Sequence, residues 1–412
     1  MALIHSSFWR PRVYPYMGSQ APRQIDRVQD LTGSISLNRE KIKEVGRDGV
    51  VGYKPATPQV SVSVRQLEYG SLDFWRDITN QPDSVRVLTH NSFKDSAVDI
   101  TGYKTNDAGI FDGTVVYPKL RTNGFSVAIG DPDALIERNF SLSGEDEYIY
   151  QGNNKYYIQL QKVVETGEAG TVTIVIGASG DYFNYPTPVA DPDNPTKYFQ
   201  RLTRERAGTV TELVEGTGFT YVNGTETISV PACQVGDIIK AIYTASDYIT
   251  GENVFVNNDV DLAGISADSC SMFLNIGTQV YALQSASFDV AFERADQKEI
   301  GNKEVVVRGV KSKTITIQLG RILNGNSIEE ILIGVAASYG KIDAREFADD
   351  IRFTLKIYSD NTKSTFLMGY EFKNLTPSAL DEGAPVDDYA TRNVTITGEE
   401  LLITDDEAQL GL

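Results

Sequence analysis

Residues that could do acid–base, nucleophilic or metal chemistry are scarce in this 412-residue chain. It holds two histidines, His5 and His90, and two cysteines, Cys233 and Cys270. No Gly-x-Ser-x-Gly turn accompanies either histidine, because the nearest string, GASG at 177–180, has the wrong spacing for a nucleophile elbow. So few Cys and His ligands also disfavour zinc. We therefore predict no catalytic residue, no cofactor and no metal centre, and we expect that the chain is not an enzyme.

Several alternatives stay open at the level of single residues. Three oxygen-rich stretches, at 191–194, 257–261 and 359–361, could hold calcium, although none has the loop of an EF-hand and Asp and Asn are also usual turn residues. A carboxylate pair for glycoside hydrolysis is conceivable among 56 acidic residues, but nothing selects one. The two cysteines either pair or lie buried as small apolar side chains.

The charge balance limits the partners of the chain. Acidic residues outnumber basic ones by 56 to 38, which gives a net charge of −18. Binding to phosphate backbones needs clustered Lys and Arg, whereas an acidic wall lets a polyanion pass without sticking. The sequence has no run of eighteen apolar residues and no basic segment followed by a long apolar run, so it predicts neither a membrane span nor a signal peptide. We expect folding in a cytoplasm.

The strongest pattern is a repeat with a spacing of 254 to 255 residues. ERNFSLSGEDEYIY at 137–150 recurs as ATRNVTITGEELLIT at 390–404, and the stretch 30–75 recurs at 285–331. The matched pairs are Arg39 with Arg294, Glu44 with Glu299, Gly46 with Gly301, Gly70 with Gly325, Arg138 with Arg392, Asn139 with Asn393 and Gly144 with Gly398. A nearly constant spacing over such a length predicts a duplicated domain.

The repeat divides the chain into five parts. We predict an N-terminal arm at 1–27, a first domain at 28–150, an inserted all-β module at 151–281, a second domain at 282–405 and a C-terminal tail at 406–412. The inserted module could be immunoglobulin-like, and its TYVNGTETI (220–228) predicts a hairpin with a type I′ Asn-Gly turn.

Alternation of apolar and polar residues predicts the elements of each domain. Ile35 and Leu37 alternate with polar neighbours in the same parity as Val290 and Phe292, and QVSVSV (59–64) matches TITIQL (314–319). A short helix is predicted after each second strand, at 71–80 and at 326–340. Each domain is thus a small β-barrel or sandwich of about six strands with one helix, and the fold class is all-β.

The stretch 285–323 resembles the core of bacteriophage tail tube proteins. In that family a strand ends in a polar patch with Arg, a Glu-hydrophobic-Gly turn follows, and a long hairpin returns as an alternating strand before a helix. The stretches 35–50 and 59–67 show the same order, so the resemblance covers both repeats and omits the insert.

The resemblance implies a structural virion protein that polymerises into stacked rings around a channel for genome delivery. Two tube domains per chain imply trimers with six domain positions, a pseudo-hexamer. Implied partners are the chain itself, the tape measure, terminator and tail-tip proteins, and genomic DNA passing without specific binding; the implied location is the virion tail, with no membrane contact.

Two groups of residues acquire expected roles from the resemblance. The first would face the channel, unless it forms a simply solvated sheet face: Ser34, Ser36, Asn38, Ser61, Ser63, Asp289, Glu293, Thr316 and Gln318. The second belongs to hairpins that would contact the adjacent ring: Glu44, Gly46, Glu299 and Gly301. Alternative functions are a tail-tip, baseplate or terminator component with the same fold, or a host-surface adhesin whose insert binds carbohydrate.

Overall fold

The structure of the protein is a computed structural model. It describes residues 9–15, 23–37, 39–43, 50–54, 58–94, 96–105, 111–131, 133–151, 156–176, 187–190, 196–207, 209–245, 264–275, 278–280, 283–297, 307–322, 350–383 and 391–411. The all-β prediction is confirmed, since antiparallel sheets make up nearly all of the regular structure in these ranges.

Among the described residues before 152, the structure has eleven strands and one α-helix. They are β1 (Trp9–Pro15), β2 (Arg23–Gln24), β3 (Val28–Ser36), β4 (Glu40–Lys43), β5 (Val50–Lys54), β6 (Gln59–Leu67), α1 (Asp73–Thr79), β7 (Val87–Thr89), β8 (Val98–Thr105), β9 (Phe111–Ile129), β10 (Glu137–Gly144) and β11 (Tyr148–Gln151).

The inserted module and the second half of the chain supply the other strands. The module holds β12 (Tyr156–Val163), β13 (Gly170–Val175), β14 (Phe199–Arg206), β15 (Thr209–Glu212), β16 (Thr220–Val222), β17 (Thr227–Cys233) and β18 (Ile238–Ala245). After it come β19 (Cys270–Leu274), β20 (Thr278–Gln279), β21 (Leu283–Gln297), β22 (Val307–Ile322), β23 (Ile351–Tyr358), β24 (Phe366–Gly383), β25 (Thr391–Gly398) and β26 (Glu400–Thr404).

Eight antiparallel strands form what we call the long sheet. Their order is β3-β6-β10-β9-β21-β22-β25-β24. The last four strands repeat the order of the first four, each about 255 residues later, and the junction between the two sets is the pairing of β9 with β21. The bulge between Ser141 and Leu142 in the β10–β9 ladder recurs between Pro377 and Ala379 in the β24–β25 ladder.

Two smaller sheets cover the apolar face of the long sheet. The first cover sheet has the order β2-β1-β8-β9-β11, and the second has the order β20-β19-β23-β24-β26-β7. One hydrophobic core fills the space between the layers and runs through both halves. The helix α1, predicted over 71–80, lies in this core, and its Trp75 is fully buried against Phe125 and Phe140.

Each of the long strands β9 and β24 belongs to two sheets. Its first part lies in a cover sheet and its second part in the long sheet, and between them stands a left-handed residue, Lys119 (φ 52°) or Asn374 (φ 53°). The neighbouring segment also passes from the long sheet to a cover sheet, at Gly144 between β10 and β11 and at Gly398 between β25 and β26. A Cβ on Gly398 would lie 2.4 Å from the Leu375 side chain, and one on Gly144 would lie 3.0 Å from that of Leu120.

The sheets place three boundaries differently from the sequence prediction. Residues 9–15 and 23–24, assigned to an arm at 1–27, form β1 and β2, and Val13 and Ile25 are buried. Residues 270–279, assigned to the insert at 151–281, form β19 and β20 of the second cover sheet. In the predicted tail at 406–412, Leu410 is buried in the core. These segments are short or contain proline, so they show no strand periodicity.

The insert is a two-sheet sandwich with its own core. One sheet has the order β12-β18-β14-β15 and the other β13-β17-β16. The predicted hairpin of β16 and β17 is present, but its loop spans four residues, 223–226, because Val222 pairs with Thr227. Gly224 (φ 96°) and Glu226 (φ 51°) both adopt left-handed conformations there, so the two-residue turn predicted from Asn-Gly is wrong.

Candidate assembly surface

The predicted channel-facing residues share one face of the long sheet. Ser34, Ser36, Ser61, Ser63, Asp289, Glu293, Thr316 and Gln318 all lie on the face opposite the hydrophobic core, and all are exposed or half-buried. Asn38 lies outside the described residues, as do Glu44, Gly46, Glu299 and Gly301. That this face lines a channel stays a prediction.

Small hydroxyl side chains dominate this polar face. Ser63 stands opposite Ser141, and Thr316 stands opposite Thr397 on the next strand. Several charges are paired across strands: Arg65 forms an ion pair with Glu137, and Glu293 accepts hydrogen bonds from the Lys311 ammonium (2.9 Å) and the Ser312 hydroxyl (2.7 Å). These bonds lower the pKa of Glu293 and keep it ionised.

Asp289 differs from these paired charges. Partial burial raises the pKa of its carboxyl, although the residue stays exposed on the polar face. It lies directly opposite Ser126 of β9, at the junction of the two halves of the long sheet. The described part of this face therefore combines neutral hydroxyls with a few acids, and its cations Arg65 and Lys311 are paired with carboxylates.

The β9–β21 junction buries the apolar side of both strands. Phe125 stands opposite Val290 and Val127 opposite Phe288. Val290 is 1% exposed and Phe292 is 4% exposed, because β9 and the residues around it cover them. Gly124 lies within this pairing, where a Cβ would approach the Val290 carbonyl oxygen to 2.5 Å.

The two ends of the long sheet lack such cover. Among the described strands β3 pairs only with β6, and the second part of β24 pairs only with β25. Ile35 on β3 and Leu37 just after its end occupy the positions that correspond to Val290 and Phe292, and they are 42% and 50% exposed. Strand edges with exposed apolar side chains are templates for pairing with another chain.

A buried ionic cluster, not anticipated from the sequence, ties the two halves together. The Arg138 guanidinium is fully buried and donates to Gln66 Oε1 (3.0 Å) and to both oxygens of Glu68 (3.2 and 3.3 Å). From the second half, the Tyr370 hydroxyl donates to Glu68 Oε2 at 3.0 Å. Burial and the Glu68 carboxylate raise the pKa of Tyr370, so the hydroxyl stays a donor. The repeated Arg-Asn pair was the only sequence signal at this position.

Ion pairs also fix α1 and β7 against the second half. Arg76 donates to Asp405 at 2.6 Å and Arg86 donates to the same carboxylate at 2.8 Å. Strand β7 continues the ladder of β26, with Leu88 opposite Ile403. The contacts between the first half and the second therefore include the β9–β21 pairing, the β7–β26 pairing, the ion pairs to Asp405 and the buried cluster.

The insert docks on the first cover sheet, away from the polar face. The Lys240 ammonium lies 3.3 Å from Asp99 of β8, and Lys119 donates to Glu205 at 2.7 Å. Burial lowers the pKa of Lys240. The Arg201 guanidinium stacks 4.7 Å from the centre of the Tyr148 ring on β11.

The residues considered for chemistry are dispersed. Cys233 and Cys270 are both buried free thiols, so the open alternative of a disulfide between them is wrong. His90 is half-buried with its pKa lowered by burial, and His5 lies outside the described residues. Within the described ranges, no three His, Cys, Asp or Glu side chains are close enough to hold a metal ion, and no helix there is long and apolar enough to span a membrane.

Comparison with known proteins gives similarity to solved structures alone. No protein-family model matches the sequence, and no curated protein matches it. Among solved structures the chain is similar to the anti-feeding prophage cap, a tube terminating cap, with 15% sequence identity and a TM-score of 0.28. The match covers 39% of this chain and 97% of the cap. A tube-terminating cap is thus among the solved structures that this chain resembles, at low overall similarity.

Proposed function

We propose that the chain is a structural subunit of a phage-tail-type tube in which three molecules close into one ring. The observation that carries the proposal is that, among the described strands, none pairs with either outer edge of the long sheet. In the repeat, β3 is the counterpart of β21, and the second part of β24 is the counterpart of the second part of β9. Strands β9 and β21 already pair with each other inside the chain. Repeating the same junction between molecules gives a head-to-tail contact, which either closes into a ring or continues into a filament.

The internal junction supplies the register of the contact between molecules. The repeat converts each pair of the internal junction into a pair between chains. The pair of Phe125 and Val290 becomes Leu380 opposite Ile35 of the next chain. The pair of Ser126 and Asp289 becomes Asp381 opposite Ser34 of the next chain. Both junctions then contain an apolar pair on the core side. On the polar side each has one aspartate opposite one serine, so like charges do not meet.

Closure of the ring removes every edge of the long sheet. Three chains with eight long-sheet strands each give a barrel of 24 strands. Barrels of about 16–18 strands already enclose an aqueous channel, so this one has room for a wide lumen. The core and cover sheets occupy the apolar face, which leaves the polar face to line the lumen.

This arrangement gives the other expected features a physical basis. A lumen of hydroxyls and acids lets DNA pass without binding, which suits genome ejection. The insert, docked on a cover sheet, projects outward and leaves the lumen open. Stacking of rings, a location in the virion tail and contacts with tape measure, terminator and tail-tip proteins belong to the same proposal.

Negative-stain microscopy with mass measurement tests the proposal. The natural protein should give rings or tubes with sixfold projections, built from trimers. Ile35→Lys places an ammonium in the apolar row of the junction and should abolish them. Val214→Lys is the matched control, since Val214 is a 67% exposed valine on the insert, and it should assemble normally.

The outcomes separate the candidates. Long tubes support a tube protein, while single rings that never stack indicate a terminating or hub component. A monomer at high protein concentration, or normal assembly of Ile35→Lys, contradicts the ring junction.

A further inference from the structure

The outer edge of β11 is a second unpartnered strand edge, distinct from the ends of the long sheet. In the described part of the chain β11 pairs only with β9, where Ile149 stands opposite Val115. Its counterpart one repeat later is β26, where Ile403 stands opposite Tyr370. The two strands thus hold equivalent places in the two cover sheets.

The counterpart strand is covered and β11 is not. On β26 the outer edge carries β7, and Leu88 opposite Ile403 extends the apolar row, so both residues are 0% exposed. On β11 no described strand takes that place, and Ile149 is 63% exposed. Val115, next to it in the row, is buried in the main core, so the core opens to solvent at Ile149.

A contact with the insert fixes the position of β11. The insert fixes one face of the strand, because the Arg201 guanidinium stacks on Tyr148 at 4.7 Å. No described strand of the insert pairs with the outer edge of β11. A strand edge with an exposed isoleucine at the border of the hydrophobic core is a site where another strand can pair.

We propose that the outer edge of β11 binds a strand of a second molecule of this chain, as a further ring contact beside the β3–β24 junction. The interface between the two halves of one chain indicates which molecule binds there. In that interface the first half pairs β7 with β26 and β9 with β21 of the second half. A neighbouring molecule that repeats this interface brings its second half against β3 and β11 together. The inference rests on the proposed ring and adds a separate contact to it.

Hydrogen exchange followed by mass spectrometry tests this contact. The natural protein in its assembled form is compared with Ile35→Lys as the unassembled reference, which leaves β11 intact. The backbone amides of β3 and of β11 should both exchange at least tenfold more slowly in the assembly. Those of β26 should not change, because β7 covers β26 within one chain.

The pattern distinguishes the two proposals. Slowing in β3 without slowing in β11 overturns the β11 contact and leaves the ring in place. No slowing in either strand overturns the ring, and the β11 contact with it.

A variant gives an independent readout. Ile149→Lys should raise the protein concentration needed for assembly at least tenfold, because every ring carries three such sites. Ile149→Val and Val214→Lys should assemble like the natural protein. Normal assembly of Ile149→Lys would overturn the contact.

Discussion

At the scale of single residues, the Arg138 cluster shows how a buried charge can join two halves of a molecule. Glu68 and Arg138 come from the first half, Tyr370 comes from the second, and none of the three is accessible to water. The guanidinium also stacks 4.7 Å from the centre of the Tyr69 ring, which offsets part of its lost hydration. Removing one partner leaves the others buried without compensation.

Arg138→Ala is expected to lower the free energy of unfolding by about 3–5 kcal/mol, as for other broken buried pairs. Tyr370→Phe removes only one donor and should cost about 1–3 kcal/mol. The control is Arg65→Ala, which breaks the exposed Arg65–Glu137 pair and should lower the free energy of unfolding much less than Arg138→Ala, because water screens that pair. Urea unfolding measures all three, and equal losses for the two arginine variants would contradict the cluster's role.

Asp237 gives the insert a dependence on pH. Its buried carboxylate accepts two bonds from Arg206 (2.6 and 2.8 Å) and one from the Gln234 N–H (2.8 Å), and the Arg206 bonds lower its pKa. Because the folded pKa lies below the unfolded value, the stabilisation is present above about pH 4 and is lost as the pH falls through the folded pKa.

Asp237→Asn should therefore destabilise the insert at pH 7 by about 1.5–3 kcal/mol, the range for hydrogen bonds to charged groups. Its stability should also vary less than that of the natural protein below about pH 4. Hydrogen exchange of β17 and β18 measures the effect within the full chain. Glu212→Gln, on an exposed strand of the same module, should change nothing. A full pH response in Asp237→Asn would rule out this carboxylate as its source.

At the scale of elements, the crossings at Gly144 and Gly398 explain why one short segment occurs twice. Each segment leaves the long sheet at its glycine and enters a cover sheet, so each copy of the repeated segment forms two strands: β10 with β11, and β25 with β26. Gly398 lies against Leu375, and Asn374 beside it is left-handed.

Gly398→Ala should lower the free energy of unfolding by about 1–3 kcal/mol, because the added methyl overlaps the Leu375 side chain in a packed core. Gly144→Ala should cost less, since its nearest neighbour is 0.6 Å farther away, at 3.0 Å instead of 2.4 Å. Gly52→Ala is the control, with nothing within 4 Å. If thermal unfolding ranks Gly52→Ala as the most damaging, the crossing is not what requires glycine.

Period-two alternation was enough to predict two interior strands of the long sheet from the sequence. QVSVSV and TITIQL fall within β6 and β22, and every described channel-facing candidate lies on one face as the parity requires. Sequence did not predict β1, because WRPRVYP contains two prolines and pairs across about ninety residues with β8. It did not predict the Arg138 cluster either, since a buried partner for Glu68 is defined only by the fold. The helix predicted at 326–340 lies outside the described residues.

At the scale of the whole molecule, the internal duplication is the basis of the account. In the described part of the chain β9 pairs with β21, whereas their counterparts at the two ends of the long sheet, β24 and β3, have no described strand on the corresponding edge. The insert stands apart from this repetition. Its first and last strands are neighbours, with Tyr156 opposite Ala245, so its two ends lie close together.

Replacing residues 156–245 with a short Gly/Ser linker should therefore leave the three-chain ring intact. We expect particles of unchanged symmetry and lumen diameter by negative-stain microscopy, without the outer projection. The natural protein serves as the reference for both. Loss of the rings, with the remaining domains still folded by circular dichroism, would show that the insert takes part in ring closure.

The most direct test of the account links β3 of one molecule to β24 of the next. In the proposed register Ser34 stands opposite Asp381 of the neighbouring chain, close enough for a disulfide. The variant Ser34→Cys/Asp381→Cys should form disulfides on oxidation, whereas Ser36→Cys/Asp381→Cys, displaced by two residues, should not. Cys233 and Cys270 are buried and should not compete.

Denaturing electrophoresis without reductant should then show species of one, two and three chains and nothing larger, because the third link closes the ring. Cross-linking that continues beyond three chains would contradict a closed trimer. Absence of any link between chains, or equal linking in the displaced control, would contradict the β3–β24 junction itself.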